Sequence, residues 1–230
     1  MEVRMDWSGA RERVLAVGRA YDEFEPVLSQ AQIAEVEARI GVELPEDYRS
    51  FLAQVGAGGP GPTQELMSLE CVDGEWGWTG YPWRPDVSGP FVEGEDWAAE
   101  QVATLRAAGH QPGAPDEAEG YLADYREVFG ADSGDEVWHR QRTRGAVLIG
   151  DSGCAMTTWL VLVGPHRGEL RFRDCEVDPP FDPCLDPDGS PHTFGTWYLE
   201  WLAIRERHAS GIPQGSDSGW PLRCGGFAAG

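Results

Sequence analysis

The chain has 230 residues, 39 of them acidic and 18 basic, for a net charge of −21 at pH 7. That charge excludes nucleic acid as a direct ligand, since polyanion would meet polyanion, and the absence of lysine and asparagine excludes a Schiff base, a Walker-type phosphate loop and N-glycosylation. Leu, Ile, Val and Phe make only about a fifth of the chain, close to disordered sequences, but ten Trp and six Tyr point to a folded, loop-rich protein.

The first 24 residues are charged throughout and show no signal-peptide core, and no apolar run nears the ~20 residues of a membrane span. Five cysteines, odd in number and not closely spaced, fit reduced thiols better than a disulfide framework. The expectation is a soluble, cytoplasmic protein with no membrane contact. Val14, Leu15 and Val17 mark a first helix. Ser29 offers an N-cap to a second, with Ile33, Val36 and Ile40 on one face and Gly41 as its stop. In LPEDYRSFLAQVG, Pro45 suits a first helical turn and Glu46 and Asp47 suit the positive end of the dipole. Tyr48, Phe51, Leu52 and Val55 then form an apolar stripe that Gly56 ends.

GAGGPGP (56–62) must be a loop, and 66–72 reads as one short strand. The Trp-, Gly- and Pro-rich stretch 73–94 shows no regular period. Helices are expected near 97–108 and 121–129. Strands are expected over AVLIG (146–150), TTWLVLV (157–163) and ELRFRD (169–174), with GPHRG (164–168) as a hairpin loop. The alternation of Leu170 and Phe172 with Arg171 and Arg173 predicts one exposed sheet face. An Asp/Pro-rich connector leads to a closing helix capped by Thr193, whose stripe of Phe194, Trp197, Tyr198, Trp201 and Leu202 should pack on the sheet. The order of elements predicts a single α+β domain.

Four blocks of this sequence resemble the Smi/Knr family of the SUKH superfamily. They are IAEVEARIGVELPEDYRSFLAQVGAGGPGP (33–62), GPFVEGEDW (89–97), GAVLIGDSGCAMTTWLVLVGPHRGELRF (145–172) and TFGTWYLEWL (193–202). The resemblance implies a mostly antiparallel sheet flanked by N-terminal helices and a C-terminal helix. It implies a helical extension over 1–28, the family domain over 29–208 and an irregular tail over 209–230. Gly41, Leu44, Pro45, Tyr48, Phe51, Gly58, Gly153, Trp197 and Trp201 would serve turns, caps and core. Thr63 and Gln64 depart from the family's pattern, and 109–144 is longer than its usual connection. No catalytic residues belong to the family, so the resemblance implies a binding module. Many of its bacterial members look like immunity proteins that neutralise toxins, often nucleases, and its eukaryotic relatives regulate cell-wall synthesis.

Other chemistry-bearing residues fit blander roles better than catalytic ones. Cys175, Cys184 and His192 lack the close pairs of structural zinc. Asp178, Asp182, Asp186 and Asp188 lack the closing Glu of an EF-hand. Cys154 would need a histidine such as His139 or His166 to become a nucleophile. Arg140, Arg142 and Arg144 form a basic island more suited to internal pairing than to a ligand. These readings predict no enzyme, no metal and no cofactor. EWGWTGYPW (75–83) has two readings: a loop folded back over the core, favoured because Trp is usually buried, or an exposed anchor set of Glu75, Trp76, Trp78, Tyr81 and Trp83. The expected function is neutralisation of a basic protein partner, a toxin domain such as a nuclease. The alternative is a regulatory or scaffold module for an endogenous partner in envelope or signalling work, and a hydrolase built on 151–192 ranks last.

Overall fold

The computed structural model describes residues 5–18, 23–80, 85–112, 118–153, 156–174, 181–211 and 223–224. Helix α1 (Ala10–Val17) buries Ala10 and Val14, and Trp7 just before it donates its indole N–H to the Ser50 hydroxyl at 2.8 Å. Ser29 and Gln32 close a reciprocal capping box at the start of α2 (Gln30–Ile40), and Gly41 ends that helix at φ 81°. Leu44 follows, buried, with its amide bonded to Glu37 Oε1 at 3.0 Å. Pro45 is the N-cap residue of α3 (Glu46–Gln54). The Asp47 carboxylate bonds both the Tyr48 amide and the distant Gly195 amide, at 2.8 Å each.

The main sheet has six antiparallel strands in the order β1-β4-β5-β6-β7-β8. Their ranges are β1 Glu65–Leu66, β4 Ala146–Asp151, β5 Met156–Val161, β6 Leu170–Asp174, β7 Asp182–Leu185 and β8 Arg223–Cys224. A two-stranded sheet pairs β2 (Leu69–Val72) with β3 (Glu75–Trp78). Three helices, α4 (Gly94–Ala107), α5 (Ala118–Phe129) and α6 (Ala131–Thr143), stand between β3 and β4, and α7 (Phe194–Ala209) closes the domain.

Helix α7 begins with a capping box between Thr193 and Thr196. Its stripe brings Phe194, Trp197, Tyr198, Trp201 and Leu202 into one buried core with Trp7, Tyr48 and Phe51, and with Val147, Ile149, Leu160 and Leu170 of the sheet. Phe194 meets Tyr48 and Phe51 edge-on at 4.8 and 4.9 Å between centroids. Gly58 faces Ser68 so closely that a Cβ would lie 2.8 Å from the Ser68 Cα, which only glycine permits. This is the α+β, mostly antiparallel architecture that the sequence predicts. Among the described residues no helix is long and apolar enough to cross a membrane.

Several local expectations are corrected. The stretch 66–72 is two strands rather than one, and 75–78 is a paired strand rather than loop. Helix α6 lies in the long segment read as connection, and the Asp/Pro connector and the tail contribute β7 and β8. Arg171 and Arg173 are buried, at 2% and 9% exposure, so the face they occupy on β6 is covered rather than exposed. Helices α4–α6 form their own cluster around Trp97, Leu105, Tyr121, Tyr125 and Trp138. That cluster covers the arginine side: Arg171 pairs with Glu93 and Glu169, and Arg173 lies over the Trp138 ring at 5.7 Å. Arg142 stacks on Trp97 at 4.4 Å, and Arg144 pairs with Glu100. Cys184 is buried and disulfide-bonded, against the expectation of reduced thiols, while Cys71 is free and exposed.

Candidate functional site

Asp73 and Gly74, at φ 52° and 80°, form the tight turn that joins β2 to β3. Two successive left-handed residues match the right-handed twist of a hairpin, which is why Asp-Gly is favoured there. The register pairs Leu69 with Trp78, Cys71 with Trp76, Glu70 with Gly77 and Val72 with Glu75. One face therefore carries Leu69, Cys71, Trp76 and Trp78, and the other carries Glu70, Val72, Glu75 and the bare backbone of Gly77.

The hairpin grades from core to rim. Trp78 is buried and donates its indole N–H to the Tyr48 hydroxyl at 2.9 Å. Burial pushes the Tyr48 phenol far above its usual range, and the Trp78 hydrogen bond opposes that only in part. Trp76 is half-buried and reaches Glu35 Oε2 of α2 at 3.3 Å. Glu75 is exposed and ion-paired with Arg39, so two contacts tie the hairpin to α2. Val72 is 60% exposed at the tip. Glu70, Val72, Glu75, Trp76, Gly77, Trp78 and Thr79 line an open groove of about 290 Å³. Its walls set the carboxylates of Glu70 and Glu75 beside the apolar carbon of Val72 and Trp76.

Tyr81 and Trp83 lie outside the described residues, as do Cys154, Cys175 and Asp178. The remaining chemistry-bearing candidates are dispersed. His192 is buried, with Nδ1 3.1 Å from the Thr196 hydroxyl and Nε2 3.1 Å from Glu200. Burial lowers its pKa, and Glu200 opposes the shift. Asp186 accepts from the amides of Asp188 and Ser190, both at 3.0 Å, so it closes a turn. His166 pairs with Glu169 at 3.1 Å. His139 sits beside Arg142 and Arg173, and its pKa is lowered to about 4, by burial first and by those cations second.

Gly153 adopts φ 79° and donates its amide to Asp151 Oδ1 at 2.6 Å, which shapes the turn after β4. The sequence pattern singles out Glu75 and Trp76 but not their partners Glu35 and Arg39, nor the groove residues Glu70 and Val72. The Asp73-Gly74 pair between two aliphatic or aromatic stretches was the available signal for the hairpin.

The sequence profile of the SMI1 / KNR4 family (SUKH-1) matches residues 27–165, more than half of the chain. The chain belongs to that family. Members of the SMI1 / KNR4 family are in general non-enzymatic immunity or regulatory proteins. The matched span opens just before α2 and takes in the hairpin, helices α4–α6 and the β4–β5 pair. No curated protein and no solved structure matches the chain.

Proposed function

We propose that this SMI1 / KNR4 protein is a non-enzymatic immunity protein that neutralises a basic toxin domain, such as a nuclease, by binding it directly. The observation that carries the reading is the hairpin groove. Glu70 and Glu75 stand beside Val72 and a half-buried Trp76, at the rim of the main core. Carboxylates there compete for the cationic side chains that a nuclease uses to hold phosphate, and the indole supplies a desolvated anchor. Tyr81 and Trp83, three and five residues past Trp78, extend the candidate contact set. Trp78 supports the groove from beneath through its bond to Tyr48.

The test is rescue of a susceptible cell expressing the toxin domain encoded next to this gene. Wild type should restore growth, and Trp76→Ala combined with Glu70→Gln and Glu75→Gln should restore it poorly at equal protein level. Full rescue by the triple variant would move the contact elsewhere on the fold. A neighbourhood without a toxin gene, with an envelope or signalling protein recovered on pull-down from the host, would favour the scaffold function instead.

A further inference from the structure

A histidine and two carboxylates converge among helices α4–α6, away from the hairpin. Helix α4 ends in a double closure: the Gly109 amide bonds the Arg106 carbonyl and the His110 amide reaches back to the Leu105 carbonyl, each at 3.0 Å. With Gly109 at φ 85°, this is a Schellman-type cap, and it holds His110 at a defined position beside α5. On α5, Asp124 and Glu127 are three residues apart and share a face. His110 Nε2 stands 3.0 Å from Asp124 Oδ1. One donor atom from each of His110, Asp124 and Glu127 lies within 4.8 Å of the other two.

We propose that His110, Asp124 and Glu127 form a binding site for a divalent transition-metal cation, with Zn²⁺ the best fit, that ties the C-terminal cap of α4 to α5. Zinc bonds of about 2.0–2.2 Å to nitrogen and oxygen in a tetrahedron set donors about 3.4 Å apart. The His110–Asp124 separation already has that scale, and Glu127, exposed and long, closes the third edge by rotating its side chain. One imidazole and two carboxylates suit zinc or a neighbouring first-row ion. Calcium and magnesium want six or more ligands, all of them oxygen. Two carboxylates also balance the ion's charge, and a water completes the fourth position. The neighbouring arginine is engaged elsewhere: Arg126 holds Asp135 through two hydrogen bonds, at 2.5 and 2.9 Å.

The alternative is a plain His110–Asp124 ion pair beside a solvated Glu127, and the experiment separates the two. The full chain, without a histidine tag and stripped with a chelator, is titrated with Zn²⁺ by calorimetry, in a Cys71→Ser background that removes the exposed thiol found among the described residues. Thermal unfolding is followed with and without the ion. The site predicts one strong equivalent, a raised Tm with zinc, and affinity lowered about tenfold or more in Glu127→Gln and in His110→Ala. Glu127→Gln keeps the His110–Asp124 contact, so its fold should survive, as circular dichroism will show. No binding by the parent chain, or binding undiminished in both variants, would overturn the site.

Discussion

Trp78 and Tyr48 form a buried polar pair, with the indole N–H donating to the phenol oxygen at 2.9 Å. Trp78→Phe keeps most of the apolar volume but leaves the Tyr48 oxygen without its donor. Urea denaturation should show a loss of about 1–3 kcal/mol, the cost of leaving a buried polar group unsatisfied. An unchanged midpoint would show that the bond contributes nothing. His139 supplies a pH test. Its folded pKa is lowered to about 4, against an ordinary value near 6.5. Between those values the unfolded chain takes up a proton that the folded chain refuses. The stabilising contribution is therefore fully present above about pH 6.5 and lost as pH falls towards about 4, by at most about 3 kcal/mol. Denaturation midpoints measured from pH 7 to 4 should fall less steeply in His139→Gln than in the parent, and parallel curves would contradict the assignment. From the sequence, residues such as Trp76 and Trp78 look alike. What separates them is how far each lies from the hairpin's rim, a property of strand register.

At the scale of elements, helix α6 and the buried arginines of β6 are the misses with the clearest physical reason. Helix α6 has Val137 and Trp138 as its large apolar residues and Gly134 in its first turns, so it shows no apolar stripe. Gly134 nevertheless marks a close approach of α6 to α5, because a Cβ there would lie 2.6 Å from the Tyr125 carbonyl oxygen and 2.7 Å from the Arg126 Cα. Gly134→Ala forces backbone apart and should cost about 1–3 kcal/mol. Hydrogen exchange should quicken in α5 and α6 well before it does in α7. Uniform protection in the variant would mean the two helices separate easily. The α4–α6 cluster buries Arg171 and Arg173, whose alternation with Leu170 and Phe172 reads as an exposed face. Cation–π stacking on Trp138 and pairing with Glu93 replace the water that the pattern implies. By contrast, α2, α3 and α7 were legible, since each combines a local stop or cap with a periodic apolar face, and α4 and α5 fall within a few residues of their expected spans.

For the whole molecule, the antiparallel sheet, the helices packed with it and the family were readable because the Leu-Pro junction, the aromatic helices and the central hairpin are local in sequence. The groove was only half readable. Its acids and aromatics are local, but Glu35 and Arg39 come from α2, more than thirty residues earlier. Net charge of −21 gives the molecule a long-range pull on any cationic partner, with association approaching ~10⁸ M⁻¹s⁻¹ at low salt. Screening over ~8 Å at physiological salt leaves the final choice of partner to close contacts.

Stopped-flow association and dissociation with a cognate basic toxin domain is the sharpest probe of the hairpin groove as the binding surface. If the groove makes the contact, Glu70→Gln with Glu75→Gln slows association and flattens its salt dependence. Trp76→Ala leaves association nearly unchanged and speeds dissociation by about thirtyfold, the equivalent of about 2 kcal/mol. Tight binding by the parent with neither rate altered in these variants would rule the groove out.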